Sequence, residues 1–296
     1  MDEKTTAYLR KQMHKTGIAK QYLEEAKPTK IQYDDPLQEE YHEVVKGLVH
    51  KFQNRALIKV SYQCAAHCRF CTRIRQIGDV AGTLTSQNIQ QIAGYLALHP
   101  EIEDVILSGG DPFMTPKITS EILQIISPIK TIKVIRIGTR LPFQNPGAFS
   151  SEAIKSLLAQ IKTIREKRPF YILLHVNHPD ELSHKALQSV RLIQEQTSAI
   201  LLSQTVFLEG INIDYQVLKL LFKDLYFAGI TPYYLYHCDR IKGLEHFVGD
   251  LKKEKRIMQL LRKNLSGIAV PKFVIETYDG KFPVDLGYSV QMFRDK

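Results

Sequence analysis

The chain has no tryptophan, only four cysteines in 296 residues, and no internal repeat or low-complexity linker. Four thiols, three of them clustered, cannot build a disulfide framework for a chain of this length. No stretch approaches the roughly eighteen uninterrupted apolar residues of a membrane span. Even AILLSQTVFL, starting at Ala199, is broken by Ser203 and Gln204. The Lys/Glu-rich start, MDEKTTAYLRKQMHK, lacks the apolar segment of a secretory signal, so a soluble, cytoplasmic protein with no membrane partner is expected.

What is present is ample for a core. Hydrophobic residues make up 44% of the chain, enough for one large domain or two small ones. Lys plus Arg outnumber Asp plus Glu by 40 to 31, a net charge of +9, which favours anionic partners such as phosphorylated cofactors and carboxylate substrates. The densest basic run, LKKEKRIMQLLRK at 251–263, puts Leu251, Ile257, Leu260 and Leu261 near one helix face with the cations largely opposite. That is the pattern of a solvated helix and argues against a nucleic-acid site.

Residues 1–45 are polar, with two helix-like stretches and a turn-rich KPTKIQYDDPLQ, and read as an N-terminal helical extension. From there short β-branched strands alternate with amphipathic helices. The strands are expected at 56–62, 104–109, 133–139, 171–176, 199–204 and 231–237. The helices are expected at 86–98, 119–127, 150–165, 181–197 and 214–228, with Ser86 and Ser150 as N-caps. Strands apolar on both faces and separated by helices imply parallel pairing. The expected fold is α/β, a partial (β/α)6 TIM-like barrel over residues 46–285 followed by a short tail at 286–296. A doubly wound open sheet is the alternative. In both, ligands bind beyond the carboxyl ends of the strands.

Those strand ends are unusually polar. After the first strand come Cys64, Cys68, Cys71, Thr72, Arg73 and Arg75; after the second, Ser108, Gly109, Gly110 and Asp111; near the third, Arg136 and Arg140. The fourth ends in His175, Asn177 and His178, the fifth in Gln204, and the sixth in Tyr236, His237, Cys238 and Asp239. Glu276 and Lys281 follow a last strand-like AVPKFVIE.

SYQCAAHCRFCTRIR, residues 61–75, supplies three thiolates and leaves a tetrahedral metal one ligand short. An iron–sulfur cube held by three cysteines has one iron open to an exogenous amine and carboxylate. Buried free thiols, a zinc site completed by His67 or Cys238, and a redox pair compete with this reading. Interleaved His67, Arg69, Arg73 and Arg75 disfavour apolar burial, and zinc commonly takes a second CxxC pair downstream, which this chain lacks. Phe70, just before Cys71, could pack on an adenine.

CxxxCxxC with an aromatic before the last cysteine resembles the hallmark of radical S-adenosylmethionine (SAM) enzymes. CRFCTRIR, DVILSGGDPFM, IRIGTRLP, HVNHPDEL, LLSQTVFLEGIN, PYYLYHCD and VPKFVIE follow one another as in the lysine 2,3-aminomutase family. The similarity runs from about Asp35 to Val284. DDPLQEE, GLVHKFQNRAL and VILSGGDPFM look most like the short subgroup that makes β-lysine for elongation factor P. The resemblance implies a radical SAM barrel and three cofactors: a [4Fe-4S] cluster, SAM and pyridoxal 5′-phosphate (PLP). It also implies an electron donor such as flavodoxin or ferredoxin.

The resemblance further implies roles. Cys64, Cys68 and Cys71 would hold the cluster. Phe70, Gly109, Gly110, Asp111, His175 and Gln204 would contact SAM, with the glycines admitting close backbone approach and Asp111 suiting an ammonium. Lys51, Arg55 and Tyr236 would contact PLP, and Lys281, in ETYDGKFPV, would bond it covalently. The connector from Glu276 to Lys281 is shorter than the family's glycine-rich one, which leaves an exposed loop lysine as the alternative. Arg73 would fork onto the substrate carboxylate, while Asp239 and Glu276 would face a distal ammonium, favouring lysine. Longer members carry a zinc-binding C-terminal extension with no counterpart up to Lys296, so oligomeric state is left open. Competing readings are a radical SAM enzyme without PLP, one acting on another amino acid, and a non-enzymatic cluster-binding protein that recognises nucleic acid.

Overall fold

The computed structural model describes residues 4–23 and 35–287. The chain opens with two short helices, α1 (Ala7–Gln12), whose N-terminus is capped by the Thr6 hydroxyl, and α2 (Thr16–Leu23). Leu9, Ile18 and Tyr22 of this pair bury against Ala66. Backbone hydrogen bonds from His67 N–H to Lys4 O and from Arg69 N–H to Gln21 O tie both ends of the pair to the cysteine segment. The extension is therefore a support for that segment. Most of the turn-rich stretch expected after it, and the tail from residue 288, lie outside the described residues.

Before the first parallel strand comes a hairpin that the sequence reading missed: β1 (Glu43–Val45) and β2 (Leu48–Phe52), antiparallel, with Val45 paired to Leu48. Its turn needs Gly47, whose φ of +84° favours glycine and whose Cβ would meet the Leu84 side chain at 2.5 Å. Thus the end of the expected helical extension is in fact strand.

β3 (Arg55–Ser61) pairs antiparallel with β2 and begins the parallel series. It is followed by α3 (Ser86–Leu98), β4 (Asp104–Gly109), α4 (Pro116–Ile126), β5 (Val134–Thr139), the single turn α5 (Leu141–Gln144), α6 (Glu152–Arg165) and β6 (Phe170–His175). Then come α7 (His184–Thr197), β7 (Ile200–Val206), α8 (Tyr215–Phe227), β8 (Thr231–Tyr236), α9 (Leu251–Asn264), β9 (Lys272–Thr277) and β10 (Gly280–Pro283). The six expected strands appear within two residues of their expected ends, and the VPKFVIE segment adds β9 as a seventh parallel strand. Two caps are corrected. Thr85, in a reciprocal capping box with Asn88, starts α3 in place of Ser86, and Ser151 precedes α6 in place of Ser150.

The ten strands among the described residues lie in chain order, β1 to β10, so the order of strands never doubles back. A doubly wound sheet requires such a reversal and is excluded. Flat, the nine strands from β2 to β10 would span roughly 38 Å at the usual spacing of about 4.8 Å. Residues from all nine nevertheless line one cavity of about 260 Å³, so the sheet curls into a barrel that stays open between its edge strands. Parity along the strands divides the labour. Val105, Leu107, Ile135 and Ile137 are fully buried and belong to the main core, together with Ile92, Leu96, Ile122 and Ile126 of α3 and α4. Each such burial contributes about 1.5–3 kcal/mol. The alternate positions, Ser108, Arg136, Gln204, Tyr234 and Tyr236, point into the cavity. The inner face is mixed, since Leu57, Ile106, Leu173 and Val206 line the cavity beside these polar side chains, where the sequence reading expected apolar strands on both sides.

Candidate active site

Cys64, Cys68 and Cys71 sit in the loop that leaves the carboxyl end of β3, all as free thiols. They line a second cavity of about 240 Å³ together with Phe70, Gly109, Gly110, Asp111, Arg140, His175 and Gln204. Burial pushes the Cys64 thiol well up, aided by the Asp111 carboxylate, and pushes Cys71 up to about 11, aided by Cys68. Cys68 is also raised by burial, but the Arg140 guanidinium at 3.0 Å from its Sγ and the Gln144 amide at 3.3 Å oppose that effect. Three neighbouring, half-buried thiols ionise together readily only around a cationic centre. Among the described residues no three His, Cys, Asp or Glu side chains close on a single ion. Thiols distributed around a cavity fit a multi-iron cluster better than tetrahedral zinc. Of the two side chains weighed as a zinc ligand, Cys238 lines this cavity and His67 lies outside it, against Gly78.

The glycines at the end of β4 admit the cysteine loop itself. Gly109 has φ +103°, and a Cβ on it would stand 2.6 Å from Ser61 O; a Cβ on Gly110 would overlap the backbone of Gln63. Asp111 lines the cavity, yet its carboxylate accepts from Phe113 N–H, Arg140 N–H, Leu141 N–H and the Thr139 hydroxyl. Expected to meet an ammonium, this carboxylate staples the loops after β4 and β5 together. Gly110→Ala is expected to destabilise the fold by about 1–3 kcal/mol through overpacking and to lower the iron retained after anaerobic reconstitution. Denaturant unfolding and iron per chain measure the two effects.

His175 and Gln204 are register partners on β6 and β7. His175 Nε2 lies 3.2 Å from Asn177 Oδ1, which already accepts from Val206 N–H. The network thus assigns the proton to Nε2 and leaves Nδ1 as an acceptor. Burial holds the ring neutral, with its pKa lowered to about 3. The Phe70 ring packs edge-on against His175 at 5.6 Å. Gln204 Nε2 donates to the Tyr236 hydroxyl at 3.1 Å, and Lys281 Nζ donates to the same oxygen at 2.7 Å. That pair of bonds joins the thiol cavity to the larger one.

The larger cavity is lined by both signs of charge, with Lys51, Arg55, Arg73 and Lys281 beside Glu39, Asp239 and Glu276. Lys281 is on β10, directly across from Glu276 of β9, and their side chains pair at 3.2 Å. The short connector is a two-residue turn, Tyr278 and Asp279, which brings the lysine inward; the alternative of an exposed loop lysine is set aside. Lys281 Nζ stands 4.7 Å from the ring centres of both Tyr234 and Tyr236. Burial lowers its pKa despite the opposing Glu276 carboxylate. Arg55 lies over the Phe52 ring at 4.2 Å, and among the described residues no carboxylate pairs with it. Lys51, expected beside it, donates to the carbonyls of Leu37 and Thr277. Asp239 faces the same space with its pKa raised to about 7 by burial and by Glu276.

Arg73 lines both cavities. The side edge of its fork is filled by Glu39, with Nε to Oε2 at 2.6 Å and Nη2 to Oε1 at 2.5 Å, while Nη1 lies 3.4 Å from Ser108 Oγ. The end edge, Nη1 with Nη2, is the less occupied one, because Nη1 makes only long contacts, to Ser108 Oγ and, at 3.5 Å, to Gly109 O. Glu39, Tyr234 and Arg140 were given no role by the sequence reading. Glu39 is at the site only through contacts made across the fold, whereas Tyr234, two residues before Tyr236 on one strand face, and Arg140, just after a strand, each carried a local signal.

The radical SAM superfamily model matches residues 58–221. L-lysine 2,3-aminomutase of Fusobacterium nucleatum is 35% identical over 253 residues, covering 84% of this chain and 58% of the relative. L-lysine 2,3-aminomutase of Escherichia coli is also 35% identical, over 85% of this chain and 72% of its own length. The chain thus spans from just over half to nearly three-quarters of these relatives. A radical SAM methyltransferase from Sphaerobacter thermophilus shares the fold with a TM-score of 0.54 at 18% identity, over 77% of this chain and 68% of its own. The chain belongs to the lysine 2,3-aminomutase family of the radical SAM superfamily.

Proposed function

We propose that the protein is a PLP-dependent radical SAM aminomutase that converts L-lysine to β-lysine. The observation that carries this reading is the juncture at Tyr236, where a thiol-lined cavity meets one holding Lys281, Asp239 and Glu276. Bound together, the cluster and SAM supply a hydrogen-abstracting radical and PLP delocalises an unpaired electron. The chain's own work is holding, orienting and excluding water. Cys64, Cys68 and Cys71 hold iron, and Phe70, the neutral His175 and Gln204 form the wall SAM would meet. Gly109 and Gly110 seat that wall, with Asp111 bracing it.

Arg55, free of any carboxylate partner among the described residues, is the cation for a phosphate, and Lys51 anchors the wall beside it. Lys281, half-buried with a lowered pKa, can lose its proton and bond PLP. Arg73 orients a carboxylate through two parallel donors, while Asp239 and Glu276 attract the distal ammonium of lysine. The resemblance to the short subgroup extends the proposal to β-lysine for elongation factor P, a cytoplasmic setting and a flavodoxin or ferredoxin as donor. No helix among the described residues is long and apolar enough to cross a membrane. Domain limits of 46–285 for the catalytic barrel, with the N-terminal extension and tail outside it, belong to the same proposal.

Anaerobic turnover of isotopically labelled L-lysine with SAM, PLP and reductant, followed by mass spectrometry, tests it. β-Lysine carrying the label is the expected product. Recovery of unchanged lysine beside accumulating 5′-deoxyadenosine would reject the lysine assignment and leave radical chemistry in place.

A further inference from the structure

Arg140 leaves the end of β5 and is only 6% exposed, as deep as the apolar core around it. Its Nη1 donates to Cys68 Sγ at 3.0 Å, and its Nη2 donates to Gln21 Oε1 at 2.5 Å and to Glu181 Oε2 at 2.6 Å. The guanidinium carbon lies 5.1 Å from the Phe70 ring centre and 5.4 Å from that of Tyr22. Glu181, itself 3% exposed, is held by the backbone N–H groups of Asn177 and His178 and by the Gln21 amide. Gln144 adds a second donor to Cys68 Sγ at 3.3 Å. The arginine is thus fixed from three segments, α2, the loop after β6 and the cysteine loop, and pointed at one sulfur.

Such a pair is costly to bury. Desolvating a guanidinium and a carboxylate costs several kcal/mol per ion, and apolar residues of similar volume commonly stabilise a fold as well or better. Stability alone does not account for Arg140, whereas chemistry at Cys68 does. A one-electron reduction adds negative charge that spreads over the cluster sulfurs. Donors aimed at a ligating sulfur stabilise the reduced form more than the oxidised form and raise the potential. Glu181 cancels the charge at long range, but Arg140 is the nearer of the two to Cys68, so the sulfur experiences a local positive field.

We propose that Arg140, seconded by Gln144, is a positioning residue that raises the reduction potential of the iron–sulfur cluster through Cys68. The inference rests on the cluster that membership of the radical SAM superfamily implies and on neither PLP nor lysine, so it stands or falls apart from the aminomutase reading. One donor, Arg140 Nε, is buried without a partner among the described residues. A role in holding bound SAM is therefore the rival explanation, and SAM affinity is the control.

The test uses full-length protein reconstituted anaerobically with iron and sulfide, matched in iron content, and titrated by potential with electron paramagnetic resonance as readout. The Arg140→Met/Glu181→Met pair avoids stranding a buried carboxylate and is expected to make the cluster about tenfold harder to reduce, a shift of about −59 mV for a one-electron couple. Arg140→Lys keeps the charge and loses the fork; it is expected to move the potential the same way by about threefold, and it carries the test should the paired variant fail to fold. Unchanged potentials in the variants that load iron would overturn the proposal. So would a loss of SAM affinity at constant potential, which would assign Arg140 to the ligand.

Discussion

Replacing Lys281 with alanine is expected to lower β-lysine formation by roughly 10²–10⁴-fold while leaving reductive cleavage of SAM measurable. The two activities part because Lys281 belongs to the larger cavity and the thiols to the smaller one. A lysine that bonds a carbonyl cofactor must first be neutral, and here burial outweighs the attraction of Glu276 at 3.2 Å. The Tyr236 hydroxyl, pinned by Gln204, holds Nζ at a fixed point between two aromatic rings. Lys281→Arg should fail equally, since a guanidinium does not release its proton in a protein. Hydride reduction of the PLP-loaded protein, followed by peptide mass spectrometry, should find the pyridoxyl group on Lys281. An alanine variant with undiminished turnover and unaltered PLP absorbance would remove the lysine from the chemistry.

The sequence made the alternation of strand and helix legible, because β-branched runs bounded by turns survive almost any tertiary context. It also exposed the thiol triplet, whose three ligands fall within eight positions. The inner face of the barrel was harder to read. Asp104, Ile106 and Ser108 alternate with Val105, Leu107 and Gly109, and only the curl of the sheet decides which set meets solvent and ligand. Gly109 and Gly110 show a second limit. A missing Cβ announces close approach but not the approaching group, which here is the backbone at Ser61 and Gln63. Likewise Asp111 signals a carboxylate at a strand end without revealing that neighbouring loops consume it. The partners of Arg73 and Arg140 lie 34 and 41 positions away, at Glu39 and Glu181, and no local pattern links them. The short connector before Lys281 kept an exposed loop lysine open as the alternative reading, yet a two-residue hairpin needs no more.

The largest effect on substrate choice is expected from the two carboxylates. Removing both charges, as in Asp239→Asn/Glu276→Gln, should lower kcat/KM for lysine by roughly 10²–10³-fold, the consequence of stripping the partners from a buried cation. Asp239 adds a pH signature. Burial and Glu276 raise its pKa to about 7, so below that value the free enzyme presents a neutral acid to the substrate's ammonium. kcat/KM for lysine is expected to rise with pH through about 7 and then level, and Asp239→Asn should abolish that inflection. Stability must move the opposite way. Because the folded pKa lies above the unfolded value of about 3.9, ionising Asp239 costs stability progressively as pH climbs from about 4 to about 7. Asp239→Asn should therefore raise Tm more at pH 8 than at pH 5, while it weakens lysine use at the higher pH. A substitution that lowered Tm at pH 8, or left the pH profile for lysine intact, would mean that this carboxylate braces the fold and does not wait for a cation.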